Sequence, residues 1–585
     1  MGLIFRFMKP YVKTIVLAIF LKFASTIFEL LLPYVLEHLV DDIVPLGVTS
    51  QVILWGSLMF VTAVVAWACN VSANRTAINN AHKVSYDVRQ QCFVKTMNLT
   101  GRQFDEFGLP SLISRMTSDS YNVQTAAQQL QSLCVRAPMM LIGGLFMMLT
   151  MDFRLSLILL CMLPVLFAII FLISSKGIPL FRKVQQKLDD VVRIMRESIT
   201  GIRVVKALSK TEYEMRRFRT ANDNMMNADV FAGTTMAVPG PLIQLLLNIG
   251  LTFVVLLGAR RVDAGLMKPG VILAFLTYFN MITMGVMGIN RIFISLSRAS
   301  ASANRMATVI DTPIDEDILP VSEAKKPHGD EFIRFEHVSF SYAAGEEEDA
   351  ENFAGEGRQN ALTDIDFAIP KGGSLGIIGP TGCGKTTIIN LLMHFYDATE
   401  GGVFVDGRDV RTYPKDELRR KFGTVFQNDL VFRDSLRHNI SFGRDISNEM
   451  IEQAALDAQA MEFISELDEG LDFMASIKGA NLSGGQKQRL LIARAQAGTP
   501  DILILDDSSS ALDYKTDAAM RRAIEEHHGD STLILIAQRV SSVMNMDHVM
   551  VMDNGCCIGY GTHDELLESC PEYKEIYTTQ MGAMQ

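Results

Sequence analysis

Six apolar stretches, each close to the roughly 20 residues a helix needs to cross the hydrocarbon core of a bilayer, dominate the first half of the chain and decide its architecture. They run over Ile15–Val40, Val52–Val71, Cys134–Met151, Leu155–Ser174, Pro241–Ala259 and Val271–Ile289. Only Asp152, Phe153 and Arg154 separate the third from the fourth, which predicts a tight hairpin. Long polar connections join the second stretch to the third and the fourth to the fifth. Both have helical periodicity (Ala81–Thr96, Phe181–Ala221) and many Arg and Lys, so the positive-inside rule places them, with the N-terminus, in the cytoplasm. The acidic connection Glu37, Asp41, Asp42 then lies outside, as do Arg260, Arg261 and Lys268, which run against the rule locally. Arg6, Lys9 and Lys13 precede the first stretch without a small-residue cleavage site after it, the pattern of a signal anchor.

Hydrophobic residues make up 49% of the chain and charged residues 20%, against roughly 25% charged in an ordinary soluble domain. This excludes disorder, collagen-like repeats and small disulfide scaffolds. The excess is confined to the part before about Ser300, and the rest has the balance of a soluble α/β protein. A net charge of -11 argues against nucleic acid as a partner. The eight cysteines have no CxxC or Cys/His spacing and read as free thiols. Inside the first apolar run, Lys22 and Glu29 stand seven apart and share a helical face. Lys22 is expected to snorkel and both to border a water-filled cavity, with direct substrate contact as the sharper alternative. Met139, Met140, Met147, Met148, Met281, Met284 and Met287 are expected to pack helices; a pliable thioether lining for hydrophobic substrates is the other reading.

From Phe332 the pattern changes. Ile333, Phe335, Val338 and Phe340 alternate as in a strand, and the apolar run Leu375–Ile378 leads into Gly379, Pro380, Thr381, Gly382, Cys383, Gly384, Lys385, Thr386 and Thr387, followed by a helical run. This is GxxxxGK[ST] between a strand and a helix, the phosphate-binding loop of P-loop NTPases. Its backbone N–H groups can converge on phosphate oxygens, Lys385 can reach the β and γ phosphates of ATP, and Thr386 can ligate Mg2+. A second strand, Ile502–Leu505, delivers Asp506 as a further magnesium group.

Leu482, Ser483, Gly484, Gly485 and Gln486, some 20 residues ahead of Asp506, with Ser510-Ala-Leu-Asp513 after it, resemble the signature of ABC transporter ATPases. With six preceding spans, the chain resembles a half-transporter of the ABC exporter type. The resemblance implies a polytopic α-helical membrane domain with six transmembrane helices and long cytoplasmic extensions, residues 1–310. It also implies a linker, 311–330, and an α/β P-loop NTPase domain of ABC type, 331–585. It assigns Tyr342 to adenine stacking, Gln427 to the glutamine loop that contacts magnesium, and Asp513 to the loop that crosses to a partner. Short coupling helices are implied near Gly108–Ser118 and Ile202–Thr211, one of them docking on the partner's ATPase domain.

Two positions depart from the family pattern. Asp507 stands where the family has a glutamate that polarises the attacking water, and Gln538 stands where it has a switch histidine. A carboxylate withdrawn by on the order of 1 Å can cost about 100-fold in rate, and an amide cannot carry a proton. An intact signature beside a weakened site implies a heterodimer, in which Ser483–Gln486 completes the competent site of a second half-transporter that retains the glutamate and histidine; a homodimer with two weakened sites is the alternative. The expected activity is ATP-driven export of small hydrophobic or amphipathic molecules by a multi-pass protein of the bacterial plasma membrane, surrounded by membrane lipid, with its ATPase domain in the cytoplasm. Lipid or peptide translocation is the rival, and a non-transporting ATP-binding regulatory subunit is another. An acidic insertion, Ala343–Asn360, lies outside the family pattern and is expected to be a solvated loop.

Overall fold

A computed structural model describes residues 1–313, 319, 327–329, 331–342, 360–427, 429–508 and 512–582. Residues 343–359 of the acidic insertion, most of the expected linker, and Ser510 lie outside the described residues. The chain forms two compact units, Met1–Met97 with Pro110–Thr312, and Asn98–Leu109 with Pro313–Gln585.

Six long helices carry the apolar stretches of the first unit: α1 (Val12–His38), α2 (Thr49–Met97), α3 (Leu133–Met151), α4 (Phe153–Thr200), α5 (Pro239–Asp263) and α6 (Pro269–Ile310), and a further long helix, Thr211–Ala237, precedes α5. Among the described residues, five helical stretches are long and apolar enough to cross a membrane, and α4 carries a shorter apolar run, Phe153–Ile169. The 49 residues of α2, at a rise of about 1.5 Å each, extend roughly 74 Å, well beyond the hydrocarbon core. The apolar span and the polar connection after it are therefore one helix. No Gly or Pro interrupts residues 72–97, so nothing in that polar sequence stops the helix when the hydrophobic run ends.

Two helix N-termini are fixed by carboxylates. Asp152 alone breaks the hairpin, where its side chain accepts the Leu155 N–H at 2.9 Å and caps α4. Asp41 is buried and accepts the N–H groups of Gly270 and Val271 at 2.6 and 3.2 Å, capping α6 behind Pro269. Two of the three basic residues that offend the positive-inside rule are paired: Arg261 with Asp152 at 2.8 Å, and Lys268 with Asp42. The core gathers α1, α3, α4, α5 and α6 around Leu30, Met148, Leu159, Leu247, Phe275 and Ile282, and the Tyr278 hydroxyl donates to the Leu30 carbonyl at 2.7 Å.

Lys22 does not snorkel. It is 4% exposed, and its ammonium donates to Asn70 at 2.6 Å and Asn74 at 3.1 Å on α2. Two amide oxygens one helical turn apart solvate the charge inside the unit, which removes the reason to reach for an interface. Glu29 pairs instead with Arg136 on α3 at 3.0 Å.

The second unit contains two sheets. A four-stranded antiparallel sheet has the order β2-β1-β4-β5, with β1 Ile333–Phe340, β2 Leu362–Ile369, β4 Glu400–Val405 and β5 Arg408–Asp409. A six-stranded sheet has the order β10-β9-β3-β8-β7-β6, with β3 Ser374–Ile378, β6 Phe422–Val425, β7 Ile502–Asp506, β8 Thr532–Ile536, β9 His548–Asp553 and β10 Cys556–Gly561. Its strands are parallel except β10. The central strands β3, β7 and β8 are near-continuous apolar runs because both faces are covered. Apolar clusters on the two sides hold the helices α7 (Lys385–Leu392), α8 (Gly484–Gln496) and α9 (Tyr514–His527) in place.

The short helix Gly101–Phe107 belongs to this second unit, so the docking segment lies ahead of the expected Gly108–Ser118. A capping box of Thr100 and Gln103 starts it, and Gly108, at φ +69°, ends it. Gly101 lies so close to the sheet unit that a Cβ there would meet the Phe395 carbonyl oxygen at 2.8 Å and the Tyr396 ring at 3.1 Å. The Tyr396 hydroxyl donates to Asp105 in the same helix. The second expected segment is the helix Ile202–Ala207, within the first unit.

Candidate nucleotide site

The loop Gly379–Gly384 turns out of β3 at the carboxyl edge of the parallel sheet and feeds the N-terminus of α7. Its glycines are dictated by the geometry. A Cβ at Gly379 would stand 2.2 Å from the Met552 carbonyl oxygen, and Gly384 has φ +101° with the Ala361 carbonyl 2.7 Å from where its Cβ would be. The loop thus presents bare backbone to the helix N-terminus, where unsatisfied N–H groups and the helix dipole favour an anion. The Lys385 ammonium lies over the loop, donating to the carbonyls of Gly379 at 2.8 Å and Pro380 at 2.7 Å.

A cavity of about 230 Å3 gathers most of the sequence candidates: Tyr342, Thr381, Gly382, the run Gly384–Thr387, Gln427, Asp506, Asp507 and Gln538, whereas Gly379, Pro380 and the buried Cys383 do not line it. Ala361 and Ile536 complete its wall. Both are plain apolar residues, and nothing in the sequence marks them. Thr386 donates to Asp506 at 2.9 Å, which ties the phosphate loop to the end of β7. Asp506 is buried, and that burial raises its pKa while the Thr386 hydroxyl lowers it. A hydroxyl, a carboxylate and the Gln427 amide oxygen form a hard oxygen donor set of the kind magnesium takes. Tyr342 stands on the other side, edge-on to Phe340 and Tyr396 at centroid distances of 4.8 and 5.2 Å, with its hydroxyl 3.2 Å from that of Thr387. Half of its surface is open, so a ring face is available for stacking.

The two departures touch each other. The Gln538 amide donates to the Asp507 carboxylate at 3.0 Å across the ends of β7 and β8. Burial pushes the Asp507 pKa up, and the Gln538 hydrogen bond, with Lys385 and Arg539, pulls it back. The Asp507 backbone has φ +49°, a left-handed conformation that aspartate tolerates better than most residues. The C-terminal helix holds the neighbouring loop: Gln580 donates to the Gln538 carbonyl at 2.9 Å and accepts the Val540 N–H at 2.8 Å. That contact joins residues 42 positions apart and has no local signature.

The signature is not in this cavity. Ser483 caps α8 in a capping box with Gln486, with N–H donations of 2.8 and 3.3 Å in the two directions, and Leu482 is buried beneath it. Ser483 and Gly484 are exposed at the helix N-terminus, a second anion-favouring surface built the same way as the first. Asp513 caps α9 through the Thr516 N–H at 2.8 Å, and these hydrogen bonds lower its pKa.

Comparison with known proteins gives a consistent result. Residues 15–286 match the model of the ABC transporter transmembrane region, and residues 362–510 match the ABC transporter model. An uncharacterised ABC transporter ATP-binding protein of Mycobacterium tuberculosis is 32% identical over 99% of this chain and 98% of its own. YfiB of Bacillus subtilis, another ABC transporter ATP-binding protein, is 32% identical over 98% of both. An ATP-dependent lipid A-core flippase of Vibrio vulnificus is 30% identical over 91% of this chain and 88% of its own. The fold is that of a bacterial Atm1-family ABC exporter solved with ATP bound, at a TM-score of 0.78, 22% identity and 98% coverage of both chains.

Proposed function

The chain belongs to the ABC transporter family, a multi-pass membrane protein whose ATP hydrolysis is coupled to transport, and from that premise we propose that it is the degenerate-site half of a heterodimeric exporter of hydrophobic or amphipathic small molecules. The observation that carries this reading is the Asp507–Gln538 contact at 3.0 Å. Both groups that should act on water and γ-phosphate are replaced, and the shortened carboxylate is tied to a side chain that cannot ionise. The signature surface at Ser483 lies outside the chain's own phosphate cavity, which supports a head-to-tail pairing with a second half-transporter.

In this reading ATP sits on the loop Gly379–Gly384 with Tyr342 against the base and Lys385 against the terminal phosphates. Thr386, Asp506 and Gln427 would hold Mg2+, whose charge offsets that of the phosphates. Closure of the paired ATPase domains is favoured because ATP binds the closed state more tightly. The Gly101–Phe107 segment passes that closure to the helices, which alternate between inward and outward access. Hydrolysis at the partner's site resets the cycle. ATPase domains on the cytoplasmic side follow from the basic connections flanking the spans.

Co-purification with the partner, followed by ATP-dependent uptake into inverted vesicles, tests the reading. A homodimer with both sites equally slow, or uptake unaffected by loss of ATP, would overturn it. Similarity to lipid A-core flippases favours lipid translocation as a second reading, separable by whether lipid or soluble amphiphile stimulates the ATPase.

A further inference from the structure

The first unit contains a cavity of about 410 Å3 between α1, α3 and α6, within the roughly 300–1,000 Å3 of small-molecule sites. Its lining is mixed. Met140, Met281 and Met284 give it a largely thioether apolar surface, and Glu29, Arg136 and Asn280 contribute polar groups, with Arg136 one helical turn from Met140 on α3. Charged groups inside apolar helices are costly, and where they occur they pair and mark substrate paths.

We propose that this cavity binds an anionic amphiphile, with the hydrocarbon against the methionines and the acidic headgroup on Arg136. The inference deepens the export reading and rests on it. Three observations carry it. Arg136 makes one hydrogen bond, from Nη2 to Glu29 at 3.0 Å, and among the described residues its buried Nε has no partner. A guanidinium has five donors in a planar fork, so most of its capacity is uncommitted. The charges also do not cancel. Lys22, held by Asn70 and Asn74, stands seven residues before Glu29 on α1, about 10 Å along the axis. Lys22 does not line the cavity, but with Arg136 and Glu29 it leaves this part of the helices one net positive charge, which disfavours a cationic headgroup and favours an anion. Finally, the unbranched thioethers can reshape around chains of different length, which suits a class of substrates better than a single one.

The test uses the full-length protein with its partner in nanodiscs and a diazirine-bearing fatty acid, photocrosslinked without ATP. Labelling should map to α3 and α6 beside the cavity and be competed by oleate but not by oleyl alcohol or oleylamine. Arg136→Gln should lower it about tenfold and Arg136→Lys by much less, whereas Glu29→Gln, which frees the guanidinium, should raise it. Equal competition by the three oleyl compounds, or labelling indifferent to Arg136→Gln, overturns the proposal. Because Glu29→Gln predicts a gain, poor folding cannot imitate the expected result. The labelling needs no turnover. Expected labelling with no vesicle uptake would therefore retain the pocket and reject export, whereas uptake without such labelling would reject the pocket alone.

Discussion

Replacing Asp507 by glutamate should accelerate hydrolysis at this chain's own site, and the structure sets the size of the effect. One added methylene advances the carboxylate by about 1 Å, and a displacement of that size is worth about 100-fold, or about 2.7 kcal/mol of barrier. The longer side chain also gives up or re-aims the 3.0 Å hydrogen bond from Gln538. A hydrogen bond to a charged group contributes roughly 1.5 kcal/mol or more, so Asp507→Glu alone should gain only about tenfold. Adding Gln538→His restores a donor able to carry charge and should bring the rate toward the full 100-fold. The assay is steady-state phosphate release at saturating ATP and magnesium. The partner's catalytic glutamate is changed to glutamine, so that only the Lys385 site turns over. A double variant that binds ATP normally yet stays within twofold of the parent rate would refute the claim that geometry at these two positions limits the site.

The separation of the two half-sites predicts different phenotypes. Lys385→Ala should weaken ATP binding but leave partial turnover, whereas Ser483→Asn, which keeps the helix cap, should nearly abolish it; the reverse order in ATPase assays would invert the assignment of sites. Gly101→Val must push the Phe395 carbonyl, which would lie 2.8 Å from the new Cβ, and should cut vesicle transport at least tenfold while ATPase persists. Gln538→Ala removes a hydrogen bond that lowers the Asp507 pKa, so the carboxylate holds its proton more strongly. As a base it works only when ionised, and the acid limb of own-site hydrolysis should therefore move to higher pH in a pH–rate profile.

The phosphate loop was legible because its chemistry is local: glycines, lysine and threonine at fixed spacing between a strand and a helix need no distant partner to be understood. Six spans were legible for a similar reason, since hydrocarbon thickness sets a length that a sequence window can measure. What escaped depends on neighbours. Lys22 reads as a snorkelling residue until Asn70 and Asn74 arrive from another helix, and Arg136, inside the third apolar stretch, gains meaning only beside Glu29. The docking segment lies several residues ahead of its expected position, and the close approach of Gly101 to Phe395 and Tyr396 that marks it leaves no periodicity in the sequence. Polar sequence after the second span reads as a separate connection, although backbone propensity carries α2 straight through it.

The Lys22 arrangement also constrains how the protein is made. A lysine near the middle of a lone helix costs roughly 2.5–3.5 kcal/mol to insert, and α1 reaches the membrane before α2 has been synthesised. The amides that lift this penalty are on α2, at Asn70 and Asn74. The apolar residues of α1 can carry that cost, but it is relieved only when α2 arrives, so the lysine favours the one rotational setting of the pair that brings it onto the two amides.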